Sequence, residues 1–262
     1  MYNESLIVKQ YPSRFLKQYI SNIYIYHFKS SNKTLLHPKG VFEMVIQGNS
    51  DIQHSTSYSD GWETRPKNFI GGLHSKSYYV KPEKSNNLSV ISVEFKPDAT
   101  KYFIPEKLNR FQNKLVELSQ IWNDSNLLIS RIEAAKTDTE RVNCIENFLK
   151  SKVENRKDST IDKVLQYIHN SNGFIEVGQL LDVVKLSSSQ FRKRFNEEIG
   201  TSPSQYCKIQ RANTSLKLLK DKSYNSLTGL AYDLGYFDQS HFIKDFKSVI
   251  GFSPKQIYQL YT

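Results

Sequence analysis

Two hydrophobic patterns divide the chain. Up to about residue 105, the apolar positions form short runs dense in β-branched and aromatic residues: 19–28 (YISNIYIYHF), 41–48 (VFEMVIQG) and 88–97 (LSVISVEFKP). Clusters of Gly, Pro, Asn and Ser separate these runs, which is typical of strands joined by turns. Short strands at this spacing predict a barrel or a sandwich rather than alternating strands and helices.

From about Pro105 onward, apolar residues recur at spacings of three and four, which predicts amphipathic helices. One predicted helical face carries Leu127, Leu128, Ile132 and Ala135, and a second carries Val142, Ile145, Phe148 and Leu149. A polar run at 154–158 is typical of a linker, and the rest of the chain offers no good strand candidate.

The predicted fold class is therefore α+β. We expect a β-rich, barrel- or sandwich-like N-terminal domain with trailing helices over residues 1–153, and a linker over 154–158. An all-α domain over residues 159–262 should follow the linker. A length of 262 residues suits two such domains.

An internal repeat with an offset of 51 residues dominates the all-α part. The segment 189–203 (SQFRKRFNEEIGTSP) matches 240–254 (SHFIKDFKSVIGFSP) in its serines, both phenylalanines, a lysine, an isoleucine and the closing Gly, Ser and Pro. Two phenylalanines four residues apart bury one face of a helix. Glycine suits the left-handed cap that ends it, and proline keeps the helix from continuing. The opposite face is polar and cationic, as in a helix that lies in a DNA major groove.

A shorter predicted helix precedes each copy, at 177–186 and 227–236. The second has a small Ala231 at the expected helix crossing and Gly235 at the turn, which is a helix-turn-helix pattern. In the first, Leu181 and Lys185 replace these two residues, so its turn geometry is not fixed by the sequence. One long helix, roughly Pro203 to Lys220, joins the two units.

The chain resembles the AraC/XylS family of bacterial transcription regulators over about residues 159–260. The second unit carries the resemblance through Leu230, Ala231, Gly235-Tyr236, the Phe242–Phe246 pair, Gly251 and Ser253-Pro254. The first unit matches through Ser187, Phe191, Phe195, Gly200 and Ser202-Pro203, and the joining helix through Tyr206, Arg211, Leu218 and Leu219.

This resemblance implies a protein that reads two successive major grooves of double-stranded DNA with two helices and contacts RNA polymerase. It also implies that the N-terminal domain senses a ligand or oligomerises. The residues expected to contact DNA are Ser189, Gln190, Arg192, Lys193, Gln239, Ser240, His241 and Lys244. Arg211 is expected to make an intramolecular or a phosphate contact instead.

Composition changes this picture little. The net charge of +10 suits a polyanionic partner, but the helix pattern carries the DNA prediction. Two cysteines with no CxxC pair fit a reducing compartment, and no apolar stretch approaches a membrane span. We therefore expect a cytoplasmic protein that does not bind membranes.

Catalytic and cofactor motifs are missing from the sequence, so we expect neither an enzyme nor a resident cofactor. The six histidines lack HxH or HExxH spacing, and there is no P-loop, GxSxG or GxGxxG. Two alternatives stay open: a bifunctional enzyme and DNA-binding protein, which would need a reactive cysteine, and a ligand-independent interaction module.

Two further expectations concern the N-terminal domain. A β-rich domain before a DNA reader suggests a small-molecule effector, bound in a cavity lined by aromatic residues such as Tyr24, Phe42 and Trp62. The apolar helical faces between about Leu127 and Lys152 would either pack on the β-rich domain or pair two subunits, and we predict a homodimer through them.

Overall fold

A computed structural model describes residues 5–28, 33–47, 52–55, 61–82, 88–155 and 159–261. The strands are β1 Ser5–Gln10, β2 Ile20–Phe28, β3 Thr34–Leu36, β4 Glu43–Gln47, β5 Ile52–Ser55, β6 Trp62–Thr64, β7 Asn68–Gly71, β8 Tyr78–Pro82, β9 Leu88–Phe95 and β10 Leu115–Glu117. The helices are α1 Leu118–Ile121, α2 Ser125–Ala134, α3 Asp138–Lys152, α4 Thr160–Asn170, α5 Val177–Val184, α6 Ser188–Ile199, α7 Pro203–Lys220, α8 Leu227–Asp233, α9 Gln239–Ile250 and α10 Pro254–Tyr261.

The strands form two antiparallel sheets, one in the order β1-β2-β9-β4-β7-β10 and the other in the order β3-β8-β5-β6. Val45, Phe69 and Val90 of the first sheet form one apolar cluster with Ile52 and Val80 of the second. Because this cluster joins the two sheets, the domain has a sandwich-like core, and the predicted strand-rich N-terminal domain is confirmed.

The segment after Pro105 differs from its predicted helix. Residues 108–111 form a short 3-10 turn, and β10 pairs with β7 so that Leu115 lies opposite Gly71. The spacing of apolar residues there fits a helix. The backbone N–H and C=O groups that a helix would pair form hydrogen bonds with β7 instead. On the predicted face of α2, Leu128 and Ile132 are buried, whereas Leu127 is 54% exposed and Ala135 follows the helix.

Most of the apolar residues on the predicted faces of α2 and α3 are covered by the chain itself. Val142, Ile145 and Leu149 of α3 are buried in the same core as Leu128 and Ile132 of α2, and Phe148 stacks edge-on against Trp122. Of the two outcomes open for these faces, packing on the β-rich domain is the one observed. The predicted homodimer therefore loses most of the apolar surface on which it was based, and it stays a prediction.

From Ser159 to Tyr261 every regular element is a helix, as the sequence predicts. The bounds of α6 and α9 are 51 residues apart at both ends, and α7 and α10 begin at the two matched prolines. The long joining helix spans 18 residues, or about 27 Å at the rise of an α-helix. Within the described ranges, no helix is both long and apolar enough to cross a membrane.

The first helix-turn-helix unit shares a hydrophobic core with the N-terminal domain. Phe42 and Leu108 of the N-terminal domain belong to the same buried cluster as Phe191, Phe195 and Tyr206. The second unit has a separate cluster around Phe242 and Phe246. The predicted linker is therefore not a boundary between two cores, and its residues 156–158 lie outside the described part of the chain.

Candidate nucleic-acid interface

Helix α6 is fixed from behind and at both ends. Phe191, Phe195 and Ile199 are at most 1% exposed, so one stripe of the helix is fully packed. The Ser187 hydroxyl accepts a hydrogen bond from the backbone N–H of Gln190, which caps the first turn. Gly200 ends the helix at φ 90°, a left-handed conformation that glycine adopts without a Cβ clash.

Helix α9 repeats this construction with different capping chemistry. Phe242 and Phe246 are at most 1% exposed, and Gly251 ends the helix at φ 84°. Its N-cap is Asp238, whose Oδ1 accepts from the backbone N–H of His241 at 2.7 Å. The two helices therefore share a buried phenylalanine pair, a capped N-terminus and a glycine at the C-terminus, and both expose the opposite face.

The turns that precede the two helices reach similar geometry through different residues. Gly235 has φ 77°, whereas Lys185 takes the left-handed conformation at φ 51° in the first unit. The loss of the turn glycine has therefore not removed the turn from the first unit. A lysine in this conformation costs about 1–2 kcal/mol relative to glycine.

The outer faces of the two helices carry the residues predicted to contact DNA. Seven of the eight are exposed and Gln239 is half-buried: Ser189, Gln190, Arg192, Lys193, Gln239, Ser240, His241 and Lys244. All eight lie on the N-terminal portion of their helix, the portion that contacts base edges in helix-turn-helix proteins.

Hydrogen bonds already occupy the side-chain oxygens of both glutamines among them. The Gln190 Oε1 accepts from the backbone N–H and the hydroxyl of Ser187, at 3.1 and 3.0 Å. The Gln239 Oε1 accepts from the Thr228 hydroxyl at 2.7 Å, which ties α9 to α8. Both lone pairs of the Gln190 oxygen are therefore occupied, so Gln190 could accept a hydrogen bond from a base only by giving up one of its bonds to Ser187. The Gln239 oxygen keeps one lone pair for a base.

The cations of α6 divide into two groups. Arg192 and Lys193, in its first half, make no ion pair within 4.0 Å to any residue that the structure describes. In the second half, Arg194 pairs with Glu198 at 2.7 Å, and Glu197 pairs with Lys107 of the N-terminal domain at 2.7 Å. The first half therefore presents unpaired positive charge, while the second half is attached to the neighbouring domain.

A buried ion pair holds the second unit to the joining helix. The Arg211 Nε lies 2.9 Å from Asp245 Oδ2, which also accepts from the Tyr236 hydroxyl at 3.0 Å. Arg211 also donates to the Gly173 carbonyl at 2.8 Å. Burial lowers the pKa of Arg211, but Asp245 outweighs burial and raises that pKa above its usual value. The intramolecular role expected for Arg211 is confirmed.

The sequence pattern did not predict two exposed residues, one just before α9 and one within it. Phe237 is 86% exposed in the turn before the helix, and Lys247 is exposed one turn beyond Lys244. The repeat offered no guide to Phe237, because the loop before α9 is longer than the loop before α6. Lys247 was recognisable only from its spacing of three residues after Lys244.

The N-terminal domain holds a cavity of about 90 Å³ between its two sheets. The three aromatic residues predicted to line such a cavity, Tyr24, Phe42 and Trp62, are not among its lining residues. Phe42 packs instead on Phe111 in the core below α6, and Trp62 lies on an edge strand under Lys81. The structure therefore does not bring these three residues together at this cavity, because strand content alone does not show which face a side chain occupies.

Neither cysteine has the features of a reactive thiol. Burial raises the pKa of Cys207 to about 11, which keeps it protonated at neutral pH. Cys144 is half-buried and packs against the core. Among the residues that the structure describes, no three His, Cys, Asp or Glu side chains are grouped to hold a metal ion.

Comparison with known protein families matches two segments of the chain. Residues 180–259 match a model described as a helix-turn-helix domain, and residues 9–117 match a domain of unknown function (DUF6597). An uncharacterized HTH-type transcriptional regulator of Haemophilus influenzae is 29% identical over 103 residues, which are 39% of this chain and 33% of that protein. The HTH-type regulator YidL of Escherichia coli is 30% identical over 98 residues, 37% of this chain and 33% of YidL. The match thus spans about a third of the length of these relatives.

Solved structures of the Vibrio cholerae protein ToxT are similar over almost the whole chain. One has a TM-score of 0.52 at 11% identity and covers 92% of this chain and 98% of ToxT. A second, of ToxT bound to (E)-4-(8-methylnaphthalen-1-yl)but-3-enoic acid, has a TM-score of 0.50 at 12% identity and covers 99% of both chains. At this identity, the similarity shows a shared two-domain fold.

Proposed function

We propose that this chain, whose C-terminal part carries an AraC-type helix-turn-helix domain, is a transcription regulator that binds double-stranded DNA. In this proposal α6 and α9 enter two successive major grooves. The observation that carries it is the repeated construction of these two helices. Each has a rear face packed with phenylalanines, a capped N-terminus and an exposed polar face with cations that make no ion pair within 4.0 Å to any residue that the structure describes.

The proposed division of contacts follows from the chemistry of each face. Arg192 can bind a guanine edge through two hydrogen bonds, and Lys193, Lys244 and Lys247 can neutralise phosphates. Named relatives that are HTH-type transcriptional regulators support this reading for the C-terminal part of the chain.

We further propose that a small molecule bound in the N-terminal cavity modulates DNA binding. The support is the cavity between the sheets, and a fold relative whose structure was solved with a bound naphthyl-butenoic acid. Cytoplasmic localisation, contact with RNA polymerase and a homodimer remain predictions of the same proposal. Light scattering at tens of micromolar, which separates a mass of 30.5 kDa from twice that value, tests the dimer.

Selection of bound duplexes from random-sequence DNA tests the function directly. A regulator should enrich sites with two half-sites one helical turn apart, and its affinity should fall steeply as salt rises. Binding without enrichment would favour a nonspecific DNA-binding protein, and no binding at low salt would favour the interaction module.

A matched pair of variants completes the test. The double variant Arg192→Ala/Lys193→Ala removes unpaired charge from the exposed face of α6, so it should abolish enrichment of one half-site. The control variant Arg110→Ala removes an exposed arginine of the N-terminal domain and should leave enrichment unchanged. Equal effects of the two variants would contradict a site on α6.

A further inference from the structure

The cavity of the N-terminal domain has apolar walls. Val45, Phe69 and Val90 line it from the six-stranded sheet, and Ile52 and Val80 line it from the four-stranded sheet. These walls can enclose a hydrocarbon body, and polar side chains that also line the cavity, among them Arg65 and Ser92, can hold a polar group.

One buried cation lies on the wall of this cavity. Arg65 is 7% exposed, its Nε donates to Gln47 Oε1 at 3.1 Å, and its guanidinium carbon lies 5.2 Å from the centre of the Phe69 ring. Within the described ranges no carboxylate lies within 4.0 Å of it. Glu43 interacts with Arg65 only at longer range, since this carboxylate pairs with Lys39.

Within the described ranges, Arg65 lacks the carboxylate partner that Arg211 has. Both guanidinium groups are largely buried, but Arg211 has Asp245 at 2.9 Å, which raises its pKa. For Arg65 the desolvation by burial dominates and lowers the pKa to about 10. A buried arginine is seldom left without a paired anion, because desolvation of the charge is costly.

We propose that Arg65 binds the carboxylate of a small monocarboxylic acid whose apolar body lies against Val45, Phe69 and Val80. The site is the proposed effector site, so this inference rests on the ligand-control part of the proposed function. A carboxylate matches the planar fork of a guanidinium through two parallel hydrogen bonds.

The charges of the lining residues favour a ligand with one negative charge over a ligand with two. The cavity's other cation, Lys39, is held by Glu43 and Glu94, the latter at 2.7 Å, so a dianion would find one unpaired cation. Burial lowers the pKa of His37 to about 4, so this lining imidazole is neutral at pH 7.

Calorimetry with isosteric probes on the full chain tests the inference. Benzoate and hexanoate are titrated beside their neutral counterparts benzamide and hexanamide. We expect at least one acid to bind about tenfold or more tightly than its amide, because a hydrogen bond to a charged partner is worth that factor. Equal binding of acids and amides, or no binding of either acid, would overturn the inference.

Variants assign the binding to Arg65. Arg65→Met should weaken binding of the acid about tenfold or more and leave its amide unchanged, whereas Arg65→Lys should retain part of the difference. Arg110→Met is the charge-matched control and should bind as the wild type does. Unchanged binding of the acid by Arg65→Met would overturn the assignment.

A second variant, Val80→Phe, keeps the inference testable if Arg65→Met does not fold. Val80→Phe keeps Arg65 but fills the cavity, so it should weaken acid binding about tenfold or more. Binding of the acid by Val80→Phe at full strength would place the site elsewhere. DNA affinity is measured on the same samples without acid, so a failure of the cavity proposal is distinguishable from a failure of DNA binding.

Discussion

At the scale of single residues, backbone conformation explains how the first unit keeps its turn without glycine. Lys185 adopts the left-handed conformation at φ 51°, and its side chain is exposed. The side chain therefore contributes little packing to offset the cost of this conformation. The turn is maintained because Leu180 and Val184, on the helix before it, are buried at 0% and 5% exposure.

This strain predicts that Lys185→Gly stabilises the protein. Glycine removes the clash of a Cβ in the left-handed region, so the free energy of unfolding should rise by about 1 kcal/mol. Lys217→Gly is the matched control: it lies exposed within α7, where glycine should lower the same quantity by about 1 kcal/mol. Urea unfolding of both variants measures the two values, and a loss of stability in Lys185→Gly would show that the left-handed turn carries no strain.

For the ion pair of Arg211 and Asp245, we predict a substitution that lowers the free energy of unfolding. Asp245→Ala leaves a largely buried guanidinium without its carboxylate, so the free energy of unfolding should fall by about 3 kcal/mol. Lys208 lies 3.9 Å from the same carboxylate but is 40% exposed, and Lys208→Ala should cost less than about 1 kcal/mol. Similar losses in the two variants, measured by chemical denaturation, would contradict the assignment of Arg211 as the partner that matters.

At the scale of elements, the sequence predicted α6 and α9, the two helices proposed to read DNA (the reading helices), because the signals for each helix are local. A pair of phenylalanines four residues apart, a following glycine and a proline fix the buried face and the end of a helix within one short segment. The strands β2, β4 and β9 were recognisable for the same reason, from dense β-branched and aromatic runs.

The misassigned elements depend on distant partners. β10 exists because Leu115 pairs with Gly71, 44 residues earlier, and nothing in its own spacing distinguishes it from a helix. The residues that line the cavity could not be predicted for a similar reason. Arg65 belongs to a polar stretch with no local signal and reaches the cavity only through the packing of two sheets.

The two reading helices should divide their work. Arg192 is exposed and unpaired on α6, whereas α9 has half-buried Ile243 at the corresponding position. We therefore expect α6 to supply most sequence discrimination, although the engagement of Gln190 with its cap leaves Arg192 as the main reader there. Arg192→Ala should relax preference at one or two base pairs, at a cost of about 1–3 kcal/mol in discrimination.

Lys244 on α9 should behave differently from Arg192. Lys244→Ala removes a phosphate contact, so it should weaken binding to all sequences alike and lower the slope of log affinity against log salt by about one. Base-by-base binding profiles at two salt concentrations compare the variants. Unchanged preference in Arg192→Ala together with altered preference in Lys244→Ala would reverse the assignment.

At the scale of the whole molecule, the N-terminal domain holds the two units unequally. It shares its core with the first unit, and Lys101 adds ion pairs to Asp162 at 2.6 Å and Glu198 at 3.5 Å. A Cβ at Gly200 would lie 3.0 Å from the Phe42 ring, so the end of α6 is in close contact with that domain. The second unit contacts it through Leu35, which packs against the core of that unit, and through the hydrogen bond from Ser77 N–H to the Val249 carbonyl.

The segment 37–42 connects the cavity to this contact. His37, Lys39 and Val41 line the cavity, while Phe42 lies below Gly200 at the end of α6. The Lys39 carbonyl also accepts from Asn213 of α7. A ligand that shifts this segment would therefore act on the first unit and on the joining helix together.

The unequal attachment predicts which helices lose protection when each core is weakened. Phe42→Ala opens the core shared by the N-terminal domain and α6, at a cost of about 3–5 kcal/mol, and should speed amide hydrogen exchange in α6 and β4. Phe246→Ala removes a ring of the same size from the separate core of the second unit and should speed exchange in α9 and α10 while α6 stays protected. Mass spectrometry of peptides from the full chain measures both variants under the same conditions. If Phe42→Ala exposes α9 as much as α6, the two units unfold together, and a ligand in the N-terminal domain would have to act on both reading helices at once rather than on their relative position.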